Sequence, residues 1–296
     1  DTWGVTFQTL DPFNEPFTNY WKAGGKQEGC HFERNSQATM IKLLRAELDA
    51  RGLAATQISA ADETNYDRAI GTFESYDRET RALVAQINAH AYATERRSEL
   101  RDLAKASGKV LVMSEVDGAG GTDHDHAAIV PALELADRII GDLQGLRPVR
   151  WIFWQAVEDE AGQVAANKNW GLIHADLQGA THAYSLTKKY YAMAQFSKFI
   201  RQGQILLSTG DENSVAAFDR GAGILVVVTR NAAPTEMRAH YDLSGFAQAG
   251  AAAIPHRTSA TENMIELPAV PIVAGRFTAI CAARSLTTFV IAGISP

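Results

Sequence analysis

The chain has 296 residues, 46% hydrophobic and 21% charged, with 28 basic against 34 acidic side chains and a net charge of -6. This length suits about two domains with a sizeable core. No run approaches the ~18 apolar residues of a membrane span, and the acidic balance argues against nucleic acid or an anionic membrane as partner. Cys30 and Cys281 cannot build a disulfide scaffold; one bridge or two free thiols are both compatible with the sequence.

Residues 1–203 alternate between short β-branched runs and amphipathic helical patterns. Trp3 to Leu10 reads as a strand. A helix carrying Ile41, Leu44 and Leu48 follows, capped by Asn35 or Ser36 and stopped at Arg51-Gly52. Ala54 to Ala60 is a second strand, Tyr66 to Gln86 is mostly helical in two pieces, and Ile87 to Tyr92 is a third strand. Glu95 to Ser107 is a charged helix buried through Leu100, Leu103 and Ala104. Lys109 to Ser114 is near-continuously apolar, as a parallel strand covered on both faces requires. A Gly-rich loop leads to a helix striped by Ile129, Leu133, Ala136, Ile140 and Leu143, with Pro131 fitting only its first turn. Val149 to Trp154 is a fifth strand. A long connection then reaches a helix over Leu186 to Ile200, with Leu186, Tyr190, Met193 and Ile200 on one face. From Gln204 to Pro296 short strand-like runs separated by turn residues give the pattern of a small antiparallel sandwich.

Strands each followed by a helix imply parallel β/α units, whose chemistry gathers at the C-terminal strand ends. The first strand runs into Asn14-Glu15-Pro16, and the fourth ends in Ser114-Glu115. Two glutamates at one edge of a parallel sheet can converge. Paired carboxyls are what glycosidic cleavage needs: one protonated to release the leaving oxygen, one ionised to attack or to activate water. Without such convergence, each Glu would cap a helix or pair with an Arg.

These motifs, with the segment from Asp11 to Phe32 (DPFNEPFTNYWKAGGKQEGCHF), resemble glycoside hydrolase family 30 of clan A, and its endo-β-1,6-galactanase branch in particular. QISAADET, INAHAY, WIFWQAVED, YYAMAQFSKFIRQG and the final SLTTFVI are similar too, so the resemblance runs through the whole chain. It implies a (β/α)8 TIM-barrel type of fold with a small all-β side sandwich. It implies Glu15 as general acid/base and Glu115 as nucleophile in a retaining double displacement on β-1,6-galactan. Glu115 is then expected to be ionised, and Glu15 to have a raised pKa. Asn14 would bind the sugar 2-hydroxyl, Tyr92, in His90-Ala91-Tyr92, would hold Glu115, and Trp154 would floor the cleaved subsite, with Trp151 the competing choice; His90 and Trp21 are counted with the substrate-binding residues. Phe17, Tyr20, Trp21, Glu28 and His31 line the cleft or pack the loop. No cofactor is needed, the partner is a polysaccharide, and the resemblance implies secretion. Other family 30 activities on β-xylan, β-1,6-glucan or glucosylceramide are alternatives, as is a non-hydrolytic carbohydrate-binding remnant.

No metal is expected. His124 and His126 in Asp123-His124-Asp125-His126 stand i, i+2, without the i, i+4 helical spacing of a zinc pair, and no third ligand is evident in sequence. Gly118 to Gly121 lacks the Lys-Ser/Thr of a phosphate loop. Asp62-Glu63 either touches substrate or forms a structural link. A whole barrel takes ~250 residues. The resemblance makes the five strands barrel strands four to eight, so strands one to three are expected to be absent, leaving an open part-barrel over 1–203 and a sandwich over 204–296. The natural protein is expected to extend before Asp1.

Overall fold

A computed structural model of the chain describes residues 4–25, 27, 29–117, 124–179 and 181–296. Trp3, Glu28, Gly118, Gly121 and Asp123 of the sequence reading lie outside them. The chain divides into two compact units, Asp1–Val116 with Gly145–Phe153, and Asp117–Gln144 with Trp154–Pro296.

In the first unit the order is β1 (Thr9–Leu10), α1 (Arg34–Ala50), β2 (Gln57–Glu63), α2 (Tyr66–Ser75), α3 (Arg78–Leu83), β3 (Val84–His90), α4 (Arg97–Ala106), β4 (Val110–Glu115) and β5 (Arg150–Trp151). The five strands pair side by side in chain order, all parallel. Among the described residues β1 pairs only with β2 and β5 only with β4, so the sheet is open at both edges. The helices pack over one face. Ile41 and Leu48 of α1, Ile70 and Phe73 of α2 and Leu100 of α4 share a core with Ile58, Ile87 and Met113 of the strands. Leu100 is fully buried, and cutting such a side chain to Ala costs about 2–5 kcal/mol.

Local chemistry sets the helix ends. Asn65 caps α2 by accepting from the Arg68 N–H, and Asp77 caps α3 by accepting from the Thr80 N–H. The expected cap of α1 is wrong: Glu33 holds the cap position without a side-chain bond, and Asn35 and Ser36 lie inside the first turn. The reason is Gln37. It is buried, its amide donates to the Phe32 carbonyl, and its oxygen accepts from Tyr76, which fixes where the helix begins.

Period-two alternation along β3 sends Ile87 and Ala89 into the helix-side core. Gln86, Asn88 and His90 line the opposite face. There the Gln86 amide donates to Asn88 at 2.7 Å, Asn88 donates to Asp11 at 2.8 Å, and Arg150 reaches Gln86 and Gln8. Gln86, Asn88, Asp11 and Arg150 thus form a ladder of hydrogen-bonded groups on the concave face rather than a second apolar core.

The second unit contains α5 (Ile129–Gly141), β6 (Val157–Asp159), α6 (Glu160–Ala166), β7 (Ile173–Ala175), β8 (Tyr184–Leu186) and α7 (Lys188–Ser197). The strands β9 (Ile205–Leu207), β10 (Ser214–Asp219), β11 (Ile224–Asn231), β12 (Met237–Asp242), β13 (Ala252–Thr258), β14 (Ile265–Glu266), β15 (Val270–Pro271), β16 (Arg276–Cys281) and β17 (Ser285–Ala292) follow. A large sheet ordered β14-β13-β17-β11-β10-β9, with β15 beside β13, shares a core with the β12–β16 pair through Phe218, Val227, Phe277 and Phe289. The expected stripe of α5 is buried at Ile129, Leu133, Ala136 and Ile140.

The stretch before α7, read in sequence only as a long connection, folds as β6, α6 and the β7–β8 hairpin. Strands of three residues carry too little periodicity to read. The buried face of α7 is not Leu186, Tyr190, Met193 and Ile200 but Lys188, Lys189, Ala192, Gln195 and Phe196. The polar members are buried because each has partners. Lys189 donates to the Asn169 carbonyl, Lys188 to Asn263, and Gln195 bonds Thr258 and Thr288. Cys30 is exposed and Cys281 buried, both as free thiols.

Candidate active site

His90 ends β3 on the concave face and is fully buried. Three carboxylates surround it. Its Nδ1 lies 3.0 Å from Glu15 Oε1 and 3.5 Å from Glu115 Oε1, and its Nε2 faces Asp62 Oδ1 at 3.3 Å, an ion pair without good hydrogen-bond alignment. Two β-bulges bring these groups together. Register shifts between Ala61 and Glu63 and between Ala89 and His90 re-aim the strand ends. Glu63 therefore turns to the helix side and accepts from Thr72, while Asp62 turns to the concave side and accepts from Ser114. Glu115, paired in register with His90, joins the same face.

Glu15 is held by main-chain bonds in a left-handed conformation, with φ 47°. Its N–H donates to the Asp62 carbonyl at 2.8 Å. Its carbonyl accepts from Thr18 Oγ1 at 2.9 Å and from Trp21 Nε1 at 3.0 Å. Such backbone costs a residue with a Cβ roughly 1–2 kcal/mol, so it persists only when its surroundings impose it. Trp21 thus bonds the main chain of Glu15. Asn14 is exposed beside it. In the same loop His31 Nδ1 meets the Thr18 carbonyl, Phe17 lies under the Arg34 guanidinium, and Tyr20 packs edge-on to Trp21.

Tyr92 donates to Glu115 Oε1 at 2.8 Å. Burial raises the Glu115 carboxyl above its ordinary range, and the His90 charge and the Tyr92 bond oppose that rise. The expected help from Tyr92 is present, but burial works against the ionised form. Burial also works against charge on His90, but the approach of Asp62 and Glu15, with the Glu115 charge, outweighs it and holds the imidazole up at about 10. A proton on each ring nitrogen leaves no lone pair for a metal, although Glu15, His90 and Glu115 each place one ligand atom within 4.8 Å of the others. Asp62 proves central, and the sequence signalled it only as the end of a strand.

Of the tryptophans, Trp151 packs against the first unit's core and stacks with Phe153. Trp154 is exposed and bridges Asp117 in the second unit.

No family model matches the chain. Its fold is TIM-barrel-like: it superimposes with a TM-score of 0.75 on the X-ray structure of a glycoside hydrolase family 30 subfamily 8 xylanase from Clostridium acetobutylicum, at 22% identity over 98% of this chain and 67% of that one. In sequence the chain is 35% identical over 300 residues to an endo-β-1,6-galactanase from Hypocrea rufa, covering 99% of this chain and 58% of the relative. It is 24% identical over 321 residues to an exo-β-1,6-galactobiohydrolase from Bifidobacterium longum subsp. longum, covering 83% of this chain and 21% of that protein. The chain resembles family 30 and its endo-β-1,6-galactanase branch, and it spans less than two thirds of the curated relatives it matches.

Proposed function

We propose that this chain carries the catalytic centre of a retaining glycoside hydrolase that cleaves β-1,6-linked galactan. The observation that supports it most is the carboxyl spacing: one oxygen of Glu15 and one of Glu115 lie within 4.8 Å. A double displacement needs carboxyl groups roughly 5–5.5 Å apart, whereas inversion needs about 6.5–9.5 Å to admit a water. Glu115 attacks the anomeric carbon while Glu15 gives its proton to the leaving oxygen, leaving a galactosyl ester on Glu115. Glu15 then takes a proton from water, which displaces the ester. His90 Nδ1, 3.0 Å from Glu15 Oε1, fixes the orientation of the Glu15 carboxyl. Asn14 and Trp154 are assigned to sugar binding. The galactan preference rests on the two curated relatives.

In this reading the five parallel strands correspond to strands four to eight of a barrel, residues 1–203 form the catalytic portion and 204–296 the side sandwich, and the protein acts outside the cell. No described helix is long and apolar enough to cross a membrane. The open sheet edge at β1 favours a second reading, binding without hydrolysis. Reducing-sugar release from β-1,6-galactan, with binding measured in parallel, separates the two. Hydrolysis by the chain that is lost in Glu115→Gln supports the proposal; binding with no release overturns it.

A further inference from the structure

Four side chains from three separate segments of the second unit meet at one point. His124 and His126 precede α5, Glu160 opens α6, and His174 lies in β7. One ligand atom of each lies within 4.8 Å of all the others. His124 Nε2 is 2.9 Å from Glu160 Oε1, and His126 Nε2 is 3.1 Å from Glu160 Oε2. His174 Nδ1 is 3.0 Å from His126 Nε2 and 3.3 Å from Glu160 Oε2. His174 is buried, while the other three are partly open to solvent.

The outer ring nitrogens fix two tautomers. His124 Nδ1 faces the Lys168 carbonyl at 3.1 Å, and His174 Nε2 faces the Trp170 carbonyl. A carbonyl only accepts, so both of those nitrogens carry hydrogen. In the neutral rings, His124 Nε2 and His174 Nδ1 then present lone pairs to the shared centre. Backbone carbonyls orient metal-binding imidazoles in this way. The segments are themselves pinned: Asn167 accepts from the His124 N–H, Asn169 donates to the Asp125 carbonyl, and the Lys188 N–H donates to the His126 carbonyl.

We propose that His124, His126, Glu160 and His174 form a structural Zn2+ site. Three imidazole nitrogens and one carboxylate suit zinc, whereas Ca2+ and Mg2+ prefer all-oxygen shells. Tetrahedral bonds of about 2.0–2.2 Å put ligand atoms about 3.3–3.6 Å apart, and His126 Nε2, His174 Nδ1 and Glu160 Oε2 already lie 3.0–3.3 Å from one another. All four positions come from protein, so the ion staples the loop before α5, the start of α6 and β7 rather than activating a water.

The test uses the untagged full chain, stripped with a chelator and titrated with Zn2+. One equivalent bound per chain, a higher Tm on binding, and tetrahedral visible bands with Co2+ in its place are expected. Glu160→Gln and His126→Ala alter partly exposed side chains, and each should lower Zn2+ affinity by about 100-fold or more. Sub-stoichiometric binding by the parent chain, or unchanged affinity in both variants, would overturn the site.

Discussion

The main-chain N–H of Glu15 donates to the carbonyl of Asp62 at 2.8 Å, and both residues hold left-handed backbone, with φ 47° and 57°. The Asp62 side chain meanwhile accepts from Ser114 and faces His90. One residue therefore ties the turn that carries Glu15 to the ends of β3 and β4. Asn tolerates left-handed backbone and Ala does not. Asp62→Ala should therefore be less stable than Asp62→Asn by about 1 kcal/mol in urea denaturation. Equal stabilities would mean that the backbone conformation at Asp62 is not under strain.

The His90 charge makes stability depend on pH in a defined direction. Its folded value, about 10, lies above an unfolded value of about 6.5. The stabilisation is complete below the unfolded value and is lost as pH rises through the folded one. His90→Gln should show its largest stability deficit in mildly acidic buffer and a narrowing deficit as pH passes about 10. A deficit that does not vary with pH would show that His90 is neutral in the folded protein.

Tyr92 opposes the rise that burial imposes on Glu115. Removing its hydroxyl lets the carboxyl climb further, so the acidic limb of the kcat profile should move to higher pH in Tyr92→Phe. A hydrogen bond to a charged group is worth about 1.5–3 kcal/mol, or roughly 10–100-fold in rate if it is needed in the transition state. An unmoved acidic limb would separate Tyr92 from the ionisation of Glu115.

Trp21 steadies Glu15 from the main-chain side, and a Cβ on Gly29 would run into the Trp21 indole. Gly29→Ala should therefore impair galactan hydrolysis as Trp21→Phe does, with each losing about 0.5–1.5 kcal/mol of stability. Full activity in both variants would show that the loop does not position Glu15.

The glutamate pair is legible in sequence because parallel strands put their C-terminal ends on one edge, so Glu15 and Glu115 share it whatever the intervening details. His90 is legible only as part of His90-Ala91-Tyr92 at a strand end, since a bulge between Ala89 and His90 re-aims it. Asp62 is not legible, because a bulge reverses which side chain of Asp62-Glu63 faces the concave side, and that reversal has no residue signature. In the second unit the polar face of α7 defeats an apolar-period reading, since Lys188, Lys189 and Gln195 are buried on the strength of specific partners. Pro255 disguises β13, which nevertheless pairs with β17 across Pro255 and Phe289. Glu160 and His174 stand far from His124 and His126 in sequence, on elements too short to read, so only the fold unites them.

The central claim is that Glu15 and Glu115 work as a retaining pair. Proton NMR of the sugar end first released from β-1,6-galactan tests it most directly. The account predicts that the newly formed reducing end appears as the β-anomer and only later mutarotates. First appearance of the α-anomer would contradict it.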